Sequence, residues 1–281
     1  MSKPLFGKIC IVGVGLIGGS LGLAVKKKKI ANFVVGVTRR KQTAIEAAAR
    51  KAVDMATLDL AEGVRDADLV ILCSPVSTIT KQLKEIAPYL KKSALVTDVG
   101  SSKVEIEKAA KRFLKKNIFV GSHPMAGLAQ TGVAHAIPNL FEGAPCFVTS
   151  KNNRINEFWR ALGCTPIQVN VKQHDAWVAR TSYLPHLVAF SLFSNAALGK
   201  FSKLHLKASN PSIRDLARIS KSDADLWTDI LFSNSETLNA LKELEKGTHE
   251  LKAIFRTRNA AGLKRFIKQA NHFSHQLCPE S

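Results

Sequence analysis

Acidic residues are scarce in this chain: 22 Asp and Glu stand against 41 Lys and Arg, a formal net charge of +19. Such a balance favours anionic partners without naming one. The excess is spread out, with 25 basic and 12 acidic residues in 1–170 and 16 and 10 in 171–281, so no basic tail stands out. Nucleic-acid motifs and aromatic residues interleaved with basic ones are missing too, which disfavours nucleic acid as the partner. Cysteines are few: Cys10, Cys73, Cys146, Cys164 and Cys278 fall at no paired spacing. This predicts free thiols, no metal site and a reducing, cytoplasmic setting. Membrane-spanning runs are lacking as well. The uncharged stretch Ile9 to Val25 has 17 residues, is interrupted by five glycines and precedes Lys26 to Lys29. It is shorter than the roughly 20 residues a bilayer requires, and a signal peptide would carry its charges ahead of the apolar run. The four lysines are expected in the last turn of a helix, where cations suit the negative end of its dipole.

What is present is enough for a packed fold. The 281 residues, 46% hydrophobic and 22% charged, correspond to about two domains at roughly 150 residues each. Residues 1–170 alternate short β-branched runs with amphipathic stretches, the pattern of a parallel sheet with crossover helices. Expected strands are 8–12, 33–37, 69–73, 94–97, 118–120, 145–149 and 166–170, with helices near 43–52 and 102–115. After Val171 the β-rich runs stop, and 175–198 and 223–244 carry helical periodicity. The fold class is α/β, an N-terminal Rossmann dinucleotide-binding domain (1–170) followed by an all-helical domain (171–281).

The first strand runs into Gly13-Val14-Gly15-Leu16-Ile17-Gly18 and then a helix. Glycine at these positions permits the tight turn, lets the backbone approach a pyrophosphate and lets helix pack on strand, while the helix N-terminus offers N–H groups to the anion. About 20 residues on, where an NAD enzyme holds Asp or Glu for the ribose hydroxyls, stand Thr38, Arg39 and Arg40. A hydroxyl and two guanidinium groups suit a 2′-phosphate, so NADP is predicted ahead of NAD. Ser74 and Pro75, after the third expected strand, are predicted to line the ribose nearer the nicotinamide.

Two more segments are expected as loops at that sheet edge: Asp98-Val99-Gly100-Ser101-Ser102-Lys103 and Gly121-Ser122-His123-Pro124-Met125-Ala126-Gly127. A histidine held between a strand and a proline can accept a proton near neutrality. These segments, with Gly13-x-Gly15-x-x-Gly18, His174-Asp175, Ser182-Tyr183-Leu184-Pro185-His186, Arg214-Asp215-x-x-Arg218-Ile219 and Ser222-Asp223-x-x-x-Trp227-x-Asp229-Ile230, resemble the prephenate/arogenate dehydrogenase family of tyrosine biosynthesis across nearly the whole chain.

The resemblance implies oxidative decarboxylation of a cyclohexadienol, prephenate or arogenate. It implies His123 as acceptor for the ring hydroxyl, with Ser101 fixing either that hydroxyl or the imidazole. It also implies Arg218 as partner of a substrate carboxylate and His186 as a second substrate contact. Read as a bare residue, Arg218 would instead pair with Asp215 or Asp223 on a helix surface. The chain departs from the family at Tyr183, where many relatives have His, and at Ala129, where many have Glu. The apolar helix 184–198 suggests a homodimer. Two rival readings make other predictions. A 3-hydroxyacid dehydrogenase of Rossmann-plus-helical type would act on simple hydroxy acids, and a non-catalytic NADP-binding sensor would bind cofactor without turnover.

Overall fold

Strand β1 (Phe6–Val12) feeds a turn and helix α1 (Leu16–Lys27), and this unit repeats with variation through the first part of the chain. There follow β2 (Ala31–Val37), α2 (Lys41–Ala49), β3 (Met55–Thr57), α3 (Leu60–Val64), β4 (Leu69–Leu72), α4 (Val76–Ile86), β5 (Leu95–Asp98), α5 (Val104–Phe113) and β6 (Ile118–Val120). The computed structural model describes residues 3–128, 130–194 and 210–277. The six strands form one sheet in the order β3-β2-β1-β4-β5-β6, every pair parallel. Reversal of strand order beside β1 creates the crevice at the carboxyl ends of β1 and β4 where open α/β sheets bind ligands. All four residues of β4 are buried, as expected for a central strand covered on both faces. One face packs under α1 and a later helix, α6 (Asn153–Leu162), through Leu21, Val25, Phe158 and Trp159. The other packs under α4 and α5, through Ile79, Leu83, Ile106 and Ala110.

A second sheet was not expected. Strands β7 (Ser122–Pro124), β8 (Pro145–Val148) and β9 (Thr165–Gln168), with α6 (Asn153–Leu162) between the last two, form a three-stranded layer in which β7 runs antiparallel to β8 and β8 parallel to β9. The runs 145–149 and 166–170 therefore belong here and not to the parallel sheet. His123 lies within a strand, opposite Phe147, and not in a loop. Gly121 and Pro124 look like breakers, yet β7 is an edge strand, where proline's missing N–H leaves no ladder bond unmade. The small sheet is fastened to the large one through Ser122. Its Oγ lies 2.8 Å from Thr97 Oγ1 on β5 and accepts from Trp159 Nε1 at 3.0 Å.

Only two of the four lysines fall in the last turn of α1, Lys26 and Lys27, while Lys28 is its C-cap and Lys29 follows it; Lys26 pairs with Asp54 and Lys28 with Glu142. Beyond β9 the described chain is helical. Helix α7 (Val171–Val178) passes through a π turn (Ala179–Tyr183) into α8 (Leu184–Ser194), followed by α9 (Pro211–Ser220), α10 (Ala224–Phe232), α11 (Glu236–Arg256) and α12 (Ala260–Leu277). Their core is small: Val178, Ala179, Tyr183, Ile230 and Ala240. Polar bonds tie this region to the sheet edge. Ser102 and Ser233 hydroxyls meet at 2.9 Å, Asn234 Nδ2 donates to the Asp175 carbonyl at 2.9 Å, and the Ser77 N–H faces the Asp229 carboxylate at 3.3 Å.

Candidate active site

The glycine turn closes on itself. Gly13 sits at φ +97, and a Cβ on Gly18 would lie 2.1 Å from the Gly13 carbonyl oxygen, so only glycine fits. A Cβ on Gly15, by contrast, would meet nothing within 4 Å, which leaves open space against the backbone. No side chain caps the N-terminus of α1, and its first turn holds no acidic residue. Leu16 and Ile17 open the helix, and its free N–H groups fit a pyrophosphate. Ser74 and Pro75 stand alongside, a Cβ on Gly13 being 2.9 Å from Ser74 Oγ, with Pro75 as the residue before α4.

At the end of β2, Thr38 is buried while Arg39 and Arg40 are exposed, and among the described residues neither arginine forms an ion pair. Thr38 Oγ1 donates to the Arg40 carbonyl at 3.0 Å. That bond shapes the turn that carries the two arginines. The two guanidinium groups remain available.

A buried polar cluster is assembled from separate elements around the end of β5. Asp98 and Lys103 form a fully buried ion pair. The Asp98 carboxylate also accepts from Gly100 N–H at 2.8 Å and Ser122 N–H at 3.2 Å, and Lys103 Nζ donates to the Ser122 carbonyl at 2.8 Å. Burial raises the Asp98 carboxyl above its usual range, and the Lys103 ammonium holds that rise back. Together the pair pins the Ser101 segment to the strand that carries His123.

His123 Nδ1 lies 2.9 Å from His174 Nε2, and His174 Nδ1 lies 2.8 Å from Asp175 Oδ1. The Asp175 carboxylate also accepts the Lys103 and Val104 N–H groups at 2.7 and 3.0 Å, at the start of α5. Donor and acceptor roles follow in order. A carboxylate receiving these bonds accepts from His174 Nδ1–H. His174 Nε2 then accepts from His123 Nδ1–H, and His123 Nε2 is left with its lone pair. Burial, followed by the neighbouring His174 and Lys103, holds His123 well below the ordinary histidine range. Burial lowers His174 as well, against the opposing bond to Asp175. The group bonded to the imidazole at Nδ1 is therefore His174.

Ser101 is held through its backbone: Tyr183 donates its hydroxyl to the Ser101 carbonyl at 2.6 Å. Tyr183 meets Trp227 edge-on, and Trp227 stacks on His186 with ring centroids 3.6 Å apart. His186 Nδ1 bonds the Ser182 carbonyl at 2.8 Å, which leaves its Nε2 as an acceptor. Its pKa is lowered by burial and further by the charge of Arg218, which places that guanidinium in the electrostatic neighbourhood of His186. Arg218 is exposed on α9 and pairs with neither Asp215 nor Asp223. Asp223 instead caps α10 by accepting Leu226 N–H at 2.8 Å. Ala129 lies outside the described residues.

Sequence reasoning had assigned no role to His174, Asp175, Lys103, Tyr183 or Trp227. The available signals were the adjacent His174-Asp175 pair and an aspartate ending an apolar strand five residues before a lysine.

Residues 21–164 match the family described as prephenate dehydrogenase, nucleotide-binding domain, and residues 170–269 that described as prephenate dehydrogenase, dimerization domain. A prephenate dehydrogenase of Lactococcus lactis is 33% identical over 93% of this chain and 75% of its own length. The crystal structure of A. aeolicus prephenate dehydrogenase in complex with hydroxyphenyl propionate and NAD+ superposes with a TM-score of 0.88 at 26% identity, covering 99% of each chain. That of Synechocystis arogenate dehydrogenase gives 0.80 at 29% identity, over 96% of this chain and 99% of its own. The chain belongs to the prephenate dehydrogenase family.

Proposed function

We propose that this protein is an NADP-preferring dehydrogenase in which His123 accepts the ring hydroxyl of the substrate and Arg218 binds a substrate carboxylate. Its reaction is the oxidative decarboxylation of prephenate or arogenate, with a nicotinamide dinucleotide as the hydride acceptor. Aromatisation supplies the driving force, so the protein's task is to orient the ring and manage one proton. Most weight rests on one observation: His123 Nδ1 is committed to His174 at 2.9 Å, so Nε2 is the ring's free acceptor. Ser101, held by Tyr183 through its backbone, leaves its hydroxyl to meet the substrate hydroxyl. Arg218 presents a planar fork suited to a carboxylate, and His186 Nε2 offers a second polar contact.

The preference for NADP is inferred from exposed Arg39 and Arg40 at the end of β2, where no carboxylate stands. A homodimer is inferred from the described family domain at 170–269 and from large apolar side chains left exposed on α10 to α12: Phe232 at 88%, Phe255 at 65% and Phe273 at 65%. The apolar helix first considered for that contact is described only to Ser194.

The test supplies prephenate and arogenate separately, each with NADP and with NAD, and follows appearance of the reduced cofactor. Turnover with at least one substrate, faster with NADP, is expected. His123→Asn should lower kcat/KM by about 10² or more while cofactor still binds. The active form is the neutral imidazole, present above its pKa. Since that pKa is depressed, activity should persist below pH 6.5 and fall only as pH drops through the lowered value.

A further inference from the structure

We propose that the base is a two-imidazole relay in which His174, oriented by Asp175, receives the Nδ1 proton of His123 as His123 Nε2 takes the hydroxyl proton of the substrate. The proposal deepens the functional reading and rests on it only for the identity of the proton donor. Its geometry is continuous: Asp175 Oδ1, His174 Nδ1, His174 Nε2 and His123 Nδ1 are linked by contacts of 2.8 and 2.9 Å, short enough for proton transfer along the line. The rings meet edge to face, with centroids 5.1 Å apart, and Phe147 closes the far side of His174 at 5.5 Å. His174 is 1% exposed, so a charge formed there is stabilised by Asp175 and not by water.

The electrostatic setting argues for two rings in place of one. The titratable groups around the pair are Asp98 from β5, Lys103 from the start of α5, Cys146 from β8, Asp175 from α7 and Tyr183 from the π turn. The positive charge of Lys103 acts against an imidazolium at either ring, but only His174 has a carboxylate in direct contact. A proton arriving at His123 is therefore better held one ring further in. As the carbinol carbon is oxidised, its C–H bond breaks with the electron pair leaving as hydride to the oxidised nicotinamide. The hydroxyl proton moves to His123 Nε2 and the Nδ1 proton to His174 Nε2. When the C–C bond to the ring carboxylate breaks and carbon dioxide departs, its electron pair aromatises the ring. The ring oxygen recovers the proton from His123 Nε2, and His174 returns its own to His123 Nδ1. No net proton is taken up or lost, and the relay is a store that fills and empties within one turnover. His174 is on this account a positioning residue that also carries charge transiently.

Two variants separate these roles. In His174→Gln the amide nitrogen can still donate to Asp175 and the amide oxygen can still accept from His123 Nδ1–H, so orientation survives while proton uptake is lost. In His174→Leu both are lost. Expected are a fall in kcat of about tenfold for the glutamine variant and about 10² for the leucine variant, with the cofactor KM unchanged. In the glutamine variant the acid limb of kcat/KM should also move down by about one pH unit, because the shared titration of a coupled pair is replaced by that of His123 alone. A purely structural His174 would lower kcat and thermal stability and leave the acid limb in place, which overturns the relay.

A second readout needs no turnover. Nitrogen-15 NMR of labelled histidines, assigned with His123→Asn and His174→Gln, should show His123 protonated at Nδ1 in the parent protein and at Nε2 in His174→Leu. Protonation at Nε2 in the parent overturns the proposal. If His123→Asn retains near-normal turnover while the NMR result holds, the functional assignment of His123 fails and the paired tautomers stand.

Discussion

The glycine turn and the imidazole cluster lie at the same sheet edge and are built by opposite means. The turn is made of backbone from one contiguous stretch, Gly13 to Gly18, and its fit depends on side chains being absent: a Cβ at Gly18 would strike a carbonyl oxygen at 2.1 Å. The cluster is made of side chains delivered by β5, β7, the start of α5, α7 and the π turn, and it depends on buried charges being paired. A backbone site is damaged by adding atoms, and a side-chain site by removing them. The contrast also sets where energy is concentrated. A buried ion pair contributes little net stability while intact, yet costs several kcal/mol when one partner is lost.

That asymmetry gives the largest expected effect. Lys103→Met leaves the Asp98 carboxylate buried with only Gly100 N–H and Ser122 N–H, and should destabilise the protein by about 3–5 kcal/mol, measured by urea denaturation. Adding Asp98→Asn to it should recover part of the loss, because a neutral amide needs no counter-charge. A double variant no more stable than the single one would show that the pair matters for shape and not for charge, and the contrast between the two regions would then be false.

Next in size is the reverse operation. Gly18→Ala adds one methyl group against the Gly13 carbonyl and Ile11 Cγ2, with an expected cost of about 1–3 kcal/mol, as for overpacked sites. Because the turn must open to admit it, dinucleotide binding should weaken more than stability does. Fluorescence titration with NADP beside a thermal melt distinguishes the two. A variant that binds cofactor normally would mean that the turn tolerates side chains after all.

The same contrast explains what could be read in the sequence. The strand, glycine turn and helix from Phe6 to Lys27 are contiguous, and their register was legible from residue order alone. Strand β3 escaped because Met55-Ala56-Thr57 is too short to show a period. The small sheet escaped because it joins Ser122 to Val148 and Cys146 to Pro166, pairings no local pattern announces. His123 was identifiable as a candidate base, but its partner stands 51 residues away. The identity of that partner depends on how α7 docks against the small sheet. Lys103 was expected only as part of a polar loop at the sheet edge, since burial of a long charged side chain is decided by its tertiary partner, Asp98, and not by composition.

The smallest effect tests the part of the cofactor site that is made of side chains. Arg39 and Arg40 are exposed at the end of β2, so each contact with a 2′-phosphate is screened by solvent and weaker than a buried pair. Replacing both with Ala should raise the KM for NADP about tenfold, roughly 1.4 kcal/mol, and leave the KM for NAD within about twofold, since NAD carries no phosphate there. Stability should not change, because Thr38 Oγ1 bonds the backbone carbonyl of residue 40, which alanine retains. An equal loss with both cofactors would mean that the arginines serve the shape of the turn. The cofactor region would then rest on backbone throughout, and the absence of a carboxylate after β2 would carry no information about which dinucleotide is used.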